Sequence, residues 1–232
     1  MQTRWHVLKD AATVAAEARR RLLAAADAAI RGRGAFHLVL AGGATPRLLY
    51  TSLVDARADW SRWHIWFGDE RVLPAAHPER NSVMARMAWL DHVPIPPAQI
   101  HVIPTERGLH AAVEAYRRAL AGMGEFDLVL LGLGEDGHTA SLFPERDWGE
   151  GPAAADVLAI EDAPKPPPAR VSLSAARLSR ARGVWFLVTG AAKREAVARW
   201  RRGESIPAAA IRPATGVDVF LDAAAAGETF GP

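Results

Sequence analysis

Short apolar runs that end in glycine recur along this 232-residue chain, and they constrain its fold more than any other feature. The clearest runs cover residues 36–41, 63–67 and 126–131, and glycine follows each of them directly. Runs of this length between turn residues are typical of strands that are buried on both faces. Segments with helical spacing of apolar residues separate these runs. The pattern therefore predicts strands that alternate with helices.

We predict helices at residues 11–31, 46–56, 81–91, 108–121 and 191–201, and strands at 36–41, 63–67, 100–103, 126–131, 184–188 and 217–221. This alternation is typical of a three-layer α/β fold, in which a mostly parallel sheet carries helices on both faces. About half of the residues are apolar, which is enough for one well-packed core. We expect a single α/β catalytic domain over residues 1–232, with a loop excursion at 144–168.

Composition excludes several classes of function. The chain has no cysteine, which rules out disulfides, thiolate catalysis and cysteine-based zinc sites. No two histidines stand at the i, i+4 spacing of helical metal ligands, so no metal is expected. The 28 basic and 26 acidic residues nearly cancel, and no dense basic block carries aromatic residues, so nucleic acid is not an expected partner. Without an apolar run of about 18 residues, membrane association is not expected either. We expect a cytoplasmic protein, either a monomer or a small homo-oligomer.

Polar and glycine-rich segments follow four of the predicted strands. They cover residues 42–46, 68–71, 132–138 and 190–193. Ligands of parallel α/β sheets bind beyond the carboxyl ends of the strands, so we expect these four segments to meet at one site.

Two of the four segments have features of a phosphate site. Gly42 and Gly43 allow close approach of the backbone, Thr45 adds a hydroxyl group, and a helix N-terminus follows. Lys193 falls in the first turn of a predicted helix, where its charge opposes the helix dipole. A cation in this unfavourable position indicates an anionic ligand nearby. The alternatives, an ordinary tight turn and a solvated lysine, stay open.

The other two segments carry charges and an imidazole. Asp69-Glu70-Arg71 places three charges directly after a strand, although a solvated turn with an internal ion pair is an alternative. His138 stands two residues after Asp136 within a glycine-rich run. A histidine with a carboxylate neighbour can act as a general base near neutral pH. The residues by themselves thus indicate a phosphate-bearing ligand and acid–base chemistry centred on His138.

Three longer motifs resemble those of a known family. They are LAGGATP at 40–46, WFGDERVLP at 66–74 and GLGEDGHTASLFP at 132–144. Gly190 and Lys193, and the ending VFLD at 219–222, agree with the same family. In order and in content these segments resemble the 6-phosphogluconolactonases, and the likeness runs from about residue 36 to residue 226.

The resemblance implies a Rossmann-like fold similar to that of glucosamine-6-phosphate deaminases and ribose-5-phosphate isomerases. It implies hydrolysis of a small sugar-phosphate lactone, 6-phospho-D-glucono-1,5-lactone, to 6-phospho-D-gluconate in the oxidative pentose phosphate pathway, with no cofactor. His138 would act as the base and Asp136 would orient it. Arg71 would either stabilise the carbonyl oxygen or bind substrate hydroxyls, and both alternatives stay open. The substrate- and phosphate-binding residues would be Gly42, Gly43, Thr45, Asp69, Asn81, Arg170 and Lys193.

Two departures from the family and two rival functions qualify this prediction. Arg80 and Ala44 stand where the family usually has serine. A glucosamine-6-phosphate deaminase would resemble GHIAFNEP, whereas residues 137–144 read GHTASLFP and lack its carboxylate. A non-catalytic sugar-phosphate sensor would carry a DNA-binding segment, but no helix-turn-helix pattern is evident. The intact Asp136 and His138 also favour an enzyme.

Overall fold

The computed structural model describes residues 2–227. The strands are β1 (Thr3–Leu8), β2 (Phe36–Leu40), β3 (Trp63–Phe67), β4 (Asp69–Arg71), β5 (Ile100–His101), β6 (Leu128–Leu131), β7 (Val157–Ile160), β8 (Arg170–Leu173), β9 (Val184–Val188) and β10 (Val217–Asp222). The α-helices are α1 (Ala11–Arg33), α2 (Ala44–Thr51), α3 (Asn81–Ala88), α4 (Leu109–Leu120), α5 (Ala175–Ser179), α6 (Arg194–Arg201) and α7 (Ala223–Ala226). Short 3-10 turns occur at Trp60–Arg62, Leu90–His92, Pro97–Gln99, Thr105–Arg107, Ala191–Lys193 and Pro207–Ala210.

A seven-stranded parallel sheet forms the centre of the molecule, in the order β1-β10-β9-β6-β2-β3-β5. Strand β2 pairs on both sides, since Leu38 lies opposite Ile65 of β3 and Leu128 of β6. A second, antiparallel sheet has the order β4-β8-β7. The large sheet and its helices confirm the three-layer α/β fold predicted from the apolar runs.

Burial explains why these segments adopt their structures. Every residue of β6 and of β9 is buried, as expected for strands in the interior of a parallel sheet. In α1 the buried side chains recur at helical spacing and include Val14, Ala18 and Leu22. The Oδ1 atom of Asp10 accepts a hydrogen bond of 2.8 Å from the backbone N–H of Thr13 and so caps this helix. Among residues 2–227, no helix combines the length and apolar character needed to cross a membrane.

Strand order determines where a ligand site can form. After β2 the next strand of the large sheet is β3, on one side, whereas after β6 the next strand of the large sheet is β9, on the other side. The connections therefore diverge between β2 and β6 and leave a crevice beyond the carboxyl ends of these two strands. The glycine-rich segments 42–46 and 132–138 both begin at this crevice.

Some predicted boundaries were wrong. The helix predicted at 46–56 begins at Ala44 and ends at Thr51, and the strand predicted at 100–103 contains only Ile100–His101. The helix predicted at 191–201 begins with a 3-10 turn, and the one predicted at 81–91 ends at Ala88. The segment 144–168, predicted as a loop excursion, contains β7, which pairs with β8 in the second sheet.

Candidate active site

A cleft of about 210 Å³ lies beyond the carboxyl ends of β2, β3, β6 and β9. It brings together most of the residues predicted from sequence. Its lining includes Gly42, Gly43, Asp69, Arg71, Asn81, Gly132, Gly134, Glu135, His138, Lys165, Arg170 and Lys193. The four cationic side chains of this lining outnumber its two carboxylates, so the cleft favours an anionic ligand.

His138 and Asp136 form a hydrogen-bonded pair at the wall of the cleft. The imidazole Nδ1 lies 2.6 Å from Oδ1 of Asp136, which also accepts a bond of 3.1 Å from the backbone N–H of His138. Partial burial would raise the pKa of Asp136, but the hydrogen bonds and charge of His138 outweigh it and lower that pKa. An ionised carboxylate only accepts hydrogen bonds, so Nδ1 carries the proton of the neutral ring. The lone pair of Nε2 is then available to take a proton.

The glycine at position 134 is required by the placement of the imidazole. The backbone N–H of Gly134 donates a bond of 2.7 Å to the carbonyl oxygen of His138, so the loop folds back on itself. A Cβ atom at residue 134 would lie 2.0 Å from Nδ1 of His138 and 2.6 Å from Oδ1 of Asp136. Any side chain there would displace the pair. The glycine-rich run thus makes room for the imidazole and its carboxylate.

Asp69 is buried and joins three segments of the site. Its Oδ2 accepts a bond of 2.6 Å from the hydroxyl of Ser141, and its Oδ1 accepts one of 3.0 Å from Nδ2 of Asn81. Both carboxylate oxygens are therefore engaged by protein groups. Asn81 in turn lies against Gly42, where a Cβ atom would approach Oδ1 of Asn81 to 2.0 Å. Gly42 is needed for this close contact.

Glu70, which was not predicted as a site residue, stabilises the backbone around the cleft through hydrogen bonds. Its buried carboxylate accepts hydrogen bonds from the backbone N–H groups of Arg71, Asn81 and Ser82, at 2.7–2.9 Å. A carboxylate at the start of α3 satisfies free N–H groups and complements the helix dipole. The sequence signal was the charge at position 70, but the helix that it caps begins eleven positions later.

Arg80, one of the two departures from the family pattern, interacts with neighbouring protein groups. It is buried, and its Nε lies 3.5 Å from Oε2 of Glu70. It also donates a bond of 2.8 Å to the carbonyl oxygen of Ile103 and one of 3.0 Å to Glu106. The side chain is thus committed to neighbouring protein groups, and it is not among those that line the cleft.

Arg71 and Arg170 lie directly opposite each other in the antiparallel pair of β4 and β8, and both line the cleft. Burial lowers the pKa of Arg170, and the nearby charge of Arg71 lowers it further, whereas that of Asp69 raises it. Like charges in opposite positions of two strands are unfavourable without an anion between them. Arg170 also donates bonds of 3.1 Å and 2.9 Å to the carbonyl oxygens of Pro167 and Lys165.

Lys165 was not predicted as a site residue. It stands in the proline-rich segment that Arg170 holds by hydrogen bonds, and this segment brings it to the cleft. Its sequence neighbours carry no motif that indicates a ligand, so only the folded structure reveals its place.

Thr45 and Lys193 lie on neighbouring segments but differ in environment. The hydroxyl of Thr45 is 2.6 Å from that of Thr189, at the end of β9, and Thr45 is not among the residues that line the cleft. Lys193 does line it, and within residues 2–227 its ammonium group has no hydrogen bond or ion pair. The turn before Lys193 is fixed by Asp222, whose carboxylate accepts a bond of 3.0 Å from the N–H of Gly190.

Over the part of the chain that the structure describes, no cluster of three or more histidine, cysteine, aspartate or glutamate side chains has the arrangement of a metal site. The polar side chains of the cleft lining include imidazole, carboxylate, guanidinium and ammonium groups.

The fold and the cleft define a member of the sugar-phosphate isomerase and lactonase class. The family model described as glucosamine-6-phosphate isomerases/6-phosphogluconolactonase matches residues 9–220, and the chain belongs to this family. Among its curated relatives are 6-phosphogluconolactonases. That of Mycobacterium leprae is 37% identical over 88% of this chain and 89% of its own. That of Streptomyces coelicolor is 37% identical over 96% of this chain and 93% of its own.

Solved structures agree with this membership. The 6-phosphogluconolactonase of Trypanosoma brucei superposes with a TM-score of 0.86 at 28% identity and covers 99% of both chains. That of Thermotoga maritima has a TM-score of 0.87 at 26% identity, over 95% of this chain and 100% of its own. A monomeric glucosamine-6-phosphate deaminase, at 20% identity and a TM-score of 0.81, shares the fold.

Proposed function

We propose that this enzyme hydrolyses 6-phospho-D-glucono-1,5-lactone to 6-phospho-D-gluconate, a step of the oxidative pentose phosphate pathway, with His138 as the general base. The names of the curated relatives support the lactone as substrate. The single observation that supports the base is the bond of 2.6 Å between Nδ1 of His138 and Asp136, because it leaves Nε2 free to take a proton.

The reaction needs one group that acts first as a general base and then, once protonated, as a general acid. Nε2 of His138 takes a proton from water as the water oxygen forms a bond to the lactone carbonyl carbon. The carbonyl oxygen then carries a negative charge. When the tetrahedral intermediate collapses, the bond between this carbon and the ring oxygen breaks. The protonated imidazole returns its proton to the ring oxygen, which becomes a hydroxyl, and Asp136 stabilises the charged imidazole in between.

Cationic groups of the cleft can stabilise the two negatively charged groups of this reaction, which are the carbonyl oxygen in the transition state and the phosphate of the substrate. The paired guanidinium groups of Arg71 and Arg170 suit the charge that develops on the carbonyl oxygen, or else bind substrate hydroxyls. Lys193, Gly42 and Gly43 suit the phosphate, since the glycines expose backbone and the ammonium group has no partner within residues 2–227. Binding the phosphate far from the reacting carbon positions the substrate. Positioning of this kind lowers the activation barrier by several kcal/mol, and by about 7–11 kcal/mol at most.

A second family activity, deamination of glucosamine 6-phosphate, is opposed by the surroundings of His138. The ring of Phe143 lies 5.0 Å from the imidazole, centre to centre. Phe143 also stands at the sequence position where the deaminase-like run GHIAFNEP has its carboxylate. An apolar ring in that place gives the imidazole no second carboxylate to activate it.

Parallel assays on one preparation test the proposal. Lactone hydrolysis, corrected for spontaneous hydrolysis, is measured beside deamination of glucosamine 6-phosphate. We expect hydrolysis well above the spontaneous rate and no ammonia release. Ammonia release without lactone hydrolysis would assign the chain to the deaminase activity, and neither activity would favour a non-catalytic sugar-phosphate sensor.

A further inference from the structure

The loop that carries Asp136 and His138 is hydrogen-bonded to α6 and to the segment that follows α6. The Nη1 atom of Arg199, in the last turns of α6, donates a bond of 3.2 Å to the carbonyl oxygen of Asp136. The backbone N–H of Ala208 donates one of 3.1 Å to the carbonyl oxygen of Gly137. Two consecutive peptide carbonyls of the loop are therefore anchored on the side away from the cleft.

Arg199 is itself held in one orientation. Its Nε donates a bond of 2.9 Å to Oε2 of Glu204, and its carbonyl oxygen accepts one of 3.1 Å from the N–H of Glu204. The hydrogen bonds of Arg199 and Arg202 lower the pKa of Glu204, so the carboxylate is charged at neutral pH. A planar guanidinium with one edge fixed on a carboxylate points its remaining N–H groups in a defined direction, which a lysine cannot reproduce.

The anchored carbonyl belongs to the residue whose side chain orients the base. Oδ1 of Asp136 accepts hydrogen bonds from both the backbone N–H and Nδ1 of His138. Rotation of the peptide unit after Asp136 would carry this carboxylate, and with it the imidazole, away from its place. No atom of Arg199 lines the cleft, so the guanidinium acts through Asp136 alone.

We propose that Arg199, aligned by Glu204, is a positioning residue for the pair of His138 and Asp136. The inference deepens the proposed function and rests on it, because the pair is positioned for proton transfer to and from a lactone. The same helix begins directly after Lys193, so one rigid element supports both the base and the cation of the cleft.

Two matched substitutions test the role of Arg199. Arg199→Met removes the guanidinium that holds Asp136, whereas Arg202→Met removes an exposed guanidinium that, within residues 2–227, bonds to Glu204 and Glu195 and not to the loop. Since small misplacements of a reacting group cost up to about 100-fold in rate, we expect Arg199→Met to lower kcat about tenfold and to change KM less than twofold. Arg202→Met is expected to leave both constants within twofold of the wild type.

Proton NMR provides a readout that does not depend on activity. A short Nδ1–H···Oδ1 bond gives a downfield proton resonance, assigned to His138 by its loss in His138→Asn. We expect this resonance to be shifted or lost in Arg199→Met and retained in Arg202→Met. If the wild type hydrolysed no lactone, the proposed function would fail, while the resonance would still test the positioning of the pair.

Three results would overturn the inference. They are an unchanged kcat and resonance in folded Arg199→Met, equal losses in Arg202→Met, and a loss confined to KM. If Arg199→Met melts below the assay temperature, Arg199→Lys takes its place, because it retains the aliphatic stem and the charge but cannot bond to Glu204 and to Asp136 in the same geometry. The same loss of kcat and of the resonance is expected in that variant.

Discussion

The histidines at opposite ends of the large sheet differ in their neighbours. At the carboxyl end, the imidazole of His138 bonds to the ionised carboxylate of Asp136. Near the amino-terminal ends of β2 and β3, His37 and His64 lie opposite each other, and His101 of β5 lies opposite Trp66 with its ring beside that of His64. Their rings are stacked, with centres 4.6 Å apart for the first two and 5.8 Å apart for the last two.

These neighbours give the same side chain two kinds of chemistry. Burial lowers the pKa of all three stacked histidines, and charge on a neighbouring ring lowers it further for His37 and His101. The pKa of His101 falls to about 4. The stacked rings are therefore neutral packing groups at pH 7, whereas His138 has a carboxylate to stabilise its charged form. We expect changes at the carboxyl end to alter kinetics and changes at the stacked histidines to alter stability.

The largest expected effect is that of His138→Asn. Asparagine retains part of the hydrogen bonding but takes no proton, so kcat should fall by about 10²–10⁴. The melting temperature should stay close to that of the wild type, since the residue lies in a loop at the strand ends. Both quantities are measured, with spontaneous lactone hydrolysis subtracted, and exposed His110→Asn is the control. A near-normal kcat would show that His138 is not the base, and inactivation only through unfolding would make it a structural residue.

The next effect is that of Gly134→Ala, which leaves the chemical groups intact and moves them. The added methyl would lie 2.0 Å from Nδ1 of His138, so the ring must shift. We expect kcat to fall by up to about 100-fold. Gly32→Ala, where a Cβ atom meets nothing within 4 Å, is the control and should retain full activity. Unchanged kcat in Gly134→Ala would mean that the position of the pair does not limit catalysis.

Lys193→Ala should separate binding from proton transfer at the carboxyl end. A phosphate contact exists in the ground state and in the transition state alike, so its loss raises KM with little change in kcat. Loss of a hydrogen bond to a charged group corresponds to a rise in KM of about tenfold or more. The inhibition constant of inorganic phosphate should rise in parallel. Arg194→Ala, at a neighbouring residue outside the cleft lining, is the control, and an unchanged KM in Lys193→Ala would contradict the assignment.

The smallest expected effect is the dependence of stability on pH at the stacked histidines. Their folded pKa values lie below the value of about 6.5 in an unfolded chain, so the unfolded state binds more protons between about pH 4 and 6.5. The stability that they contribute is complete above pH 6.5 and is lost as the pH falls toward 4. Discounted for half-exposed rings, the loss is of order 1 kcal/mol, or about 3 °C in melting temperature.

The measurement is the fall in melting temperature between pH 7 and pH 5. It should be smaller in His101→Gln than in the wild type, because glutamine does not titrate, and kcat at pH 7 should be unchanged. His110→Gln, at an exposed histidine, should show the fall of the wild type. An equal fall in His101→Gln would show that the stacked rings are not kept neutral by the fold.

The parts of the fold that depend on local pattern were predictable. Apolar runs that end in glycine identified β2, β3 and β6, and the adjacency of Asp136 and His138 in sequence identified the pair. The antiparallel sheet was not predictable, because β4 consists of three charged residues and its partner β8 lies about a hundred residues later. β1 was missed as well, since it is an edge strand of mixed polarity.

Among the site residues, too, local sequence pattern predicts some positions, and contacts between distant segments determine the others. Gly42, Gly43, Asp69, Arg71, His138 and Lys193 follow strand ends that the pattern locates. Asn81 and Arg170, by contrast, were predicted only from the family resemblance. The pairing of Thr45 with Thr189, and the capping of α3 by Glu70, depend on contacts between segments far apart in sequence. Such contacts follow from tertiary packing, and no local composition signals them.

The opposition of Arg71 and Arg170 has a consequence for turnover. Hydrolysis of a lactone releases a carboxylate, so the proposed product carries one more negative charge than the substrate. Arg71 and Arg170 both line the cleft, and a guanidinium group bonds more strongly to a carboxylate than to a neutral ester, so we expect the proposed product to bind there more tightly than the ring ester does. We therefore expect 6-phosphogluconate, the proposed product, to compete with the lactone for the cleft and to inhibit hydrolysis as it accumulates.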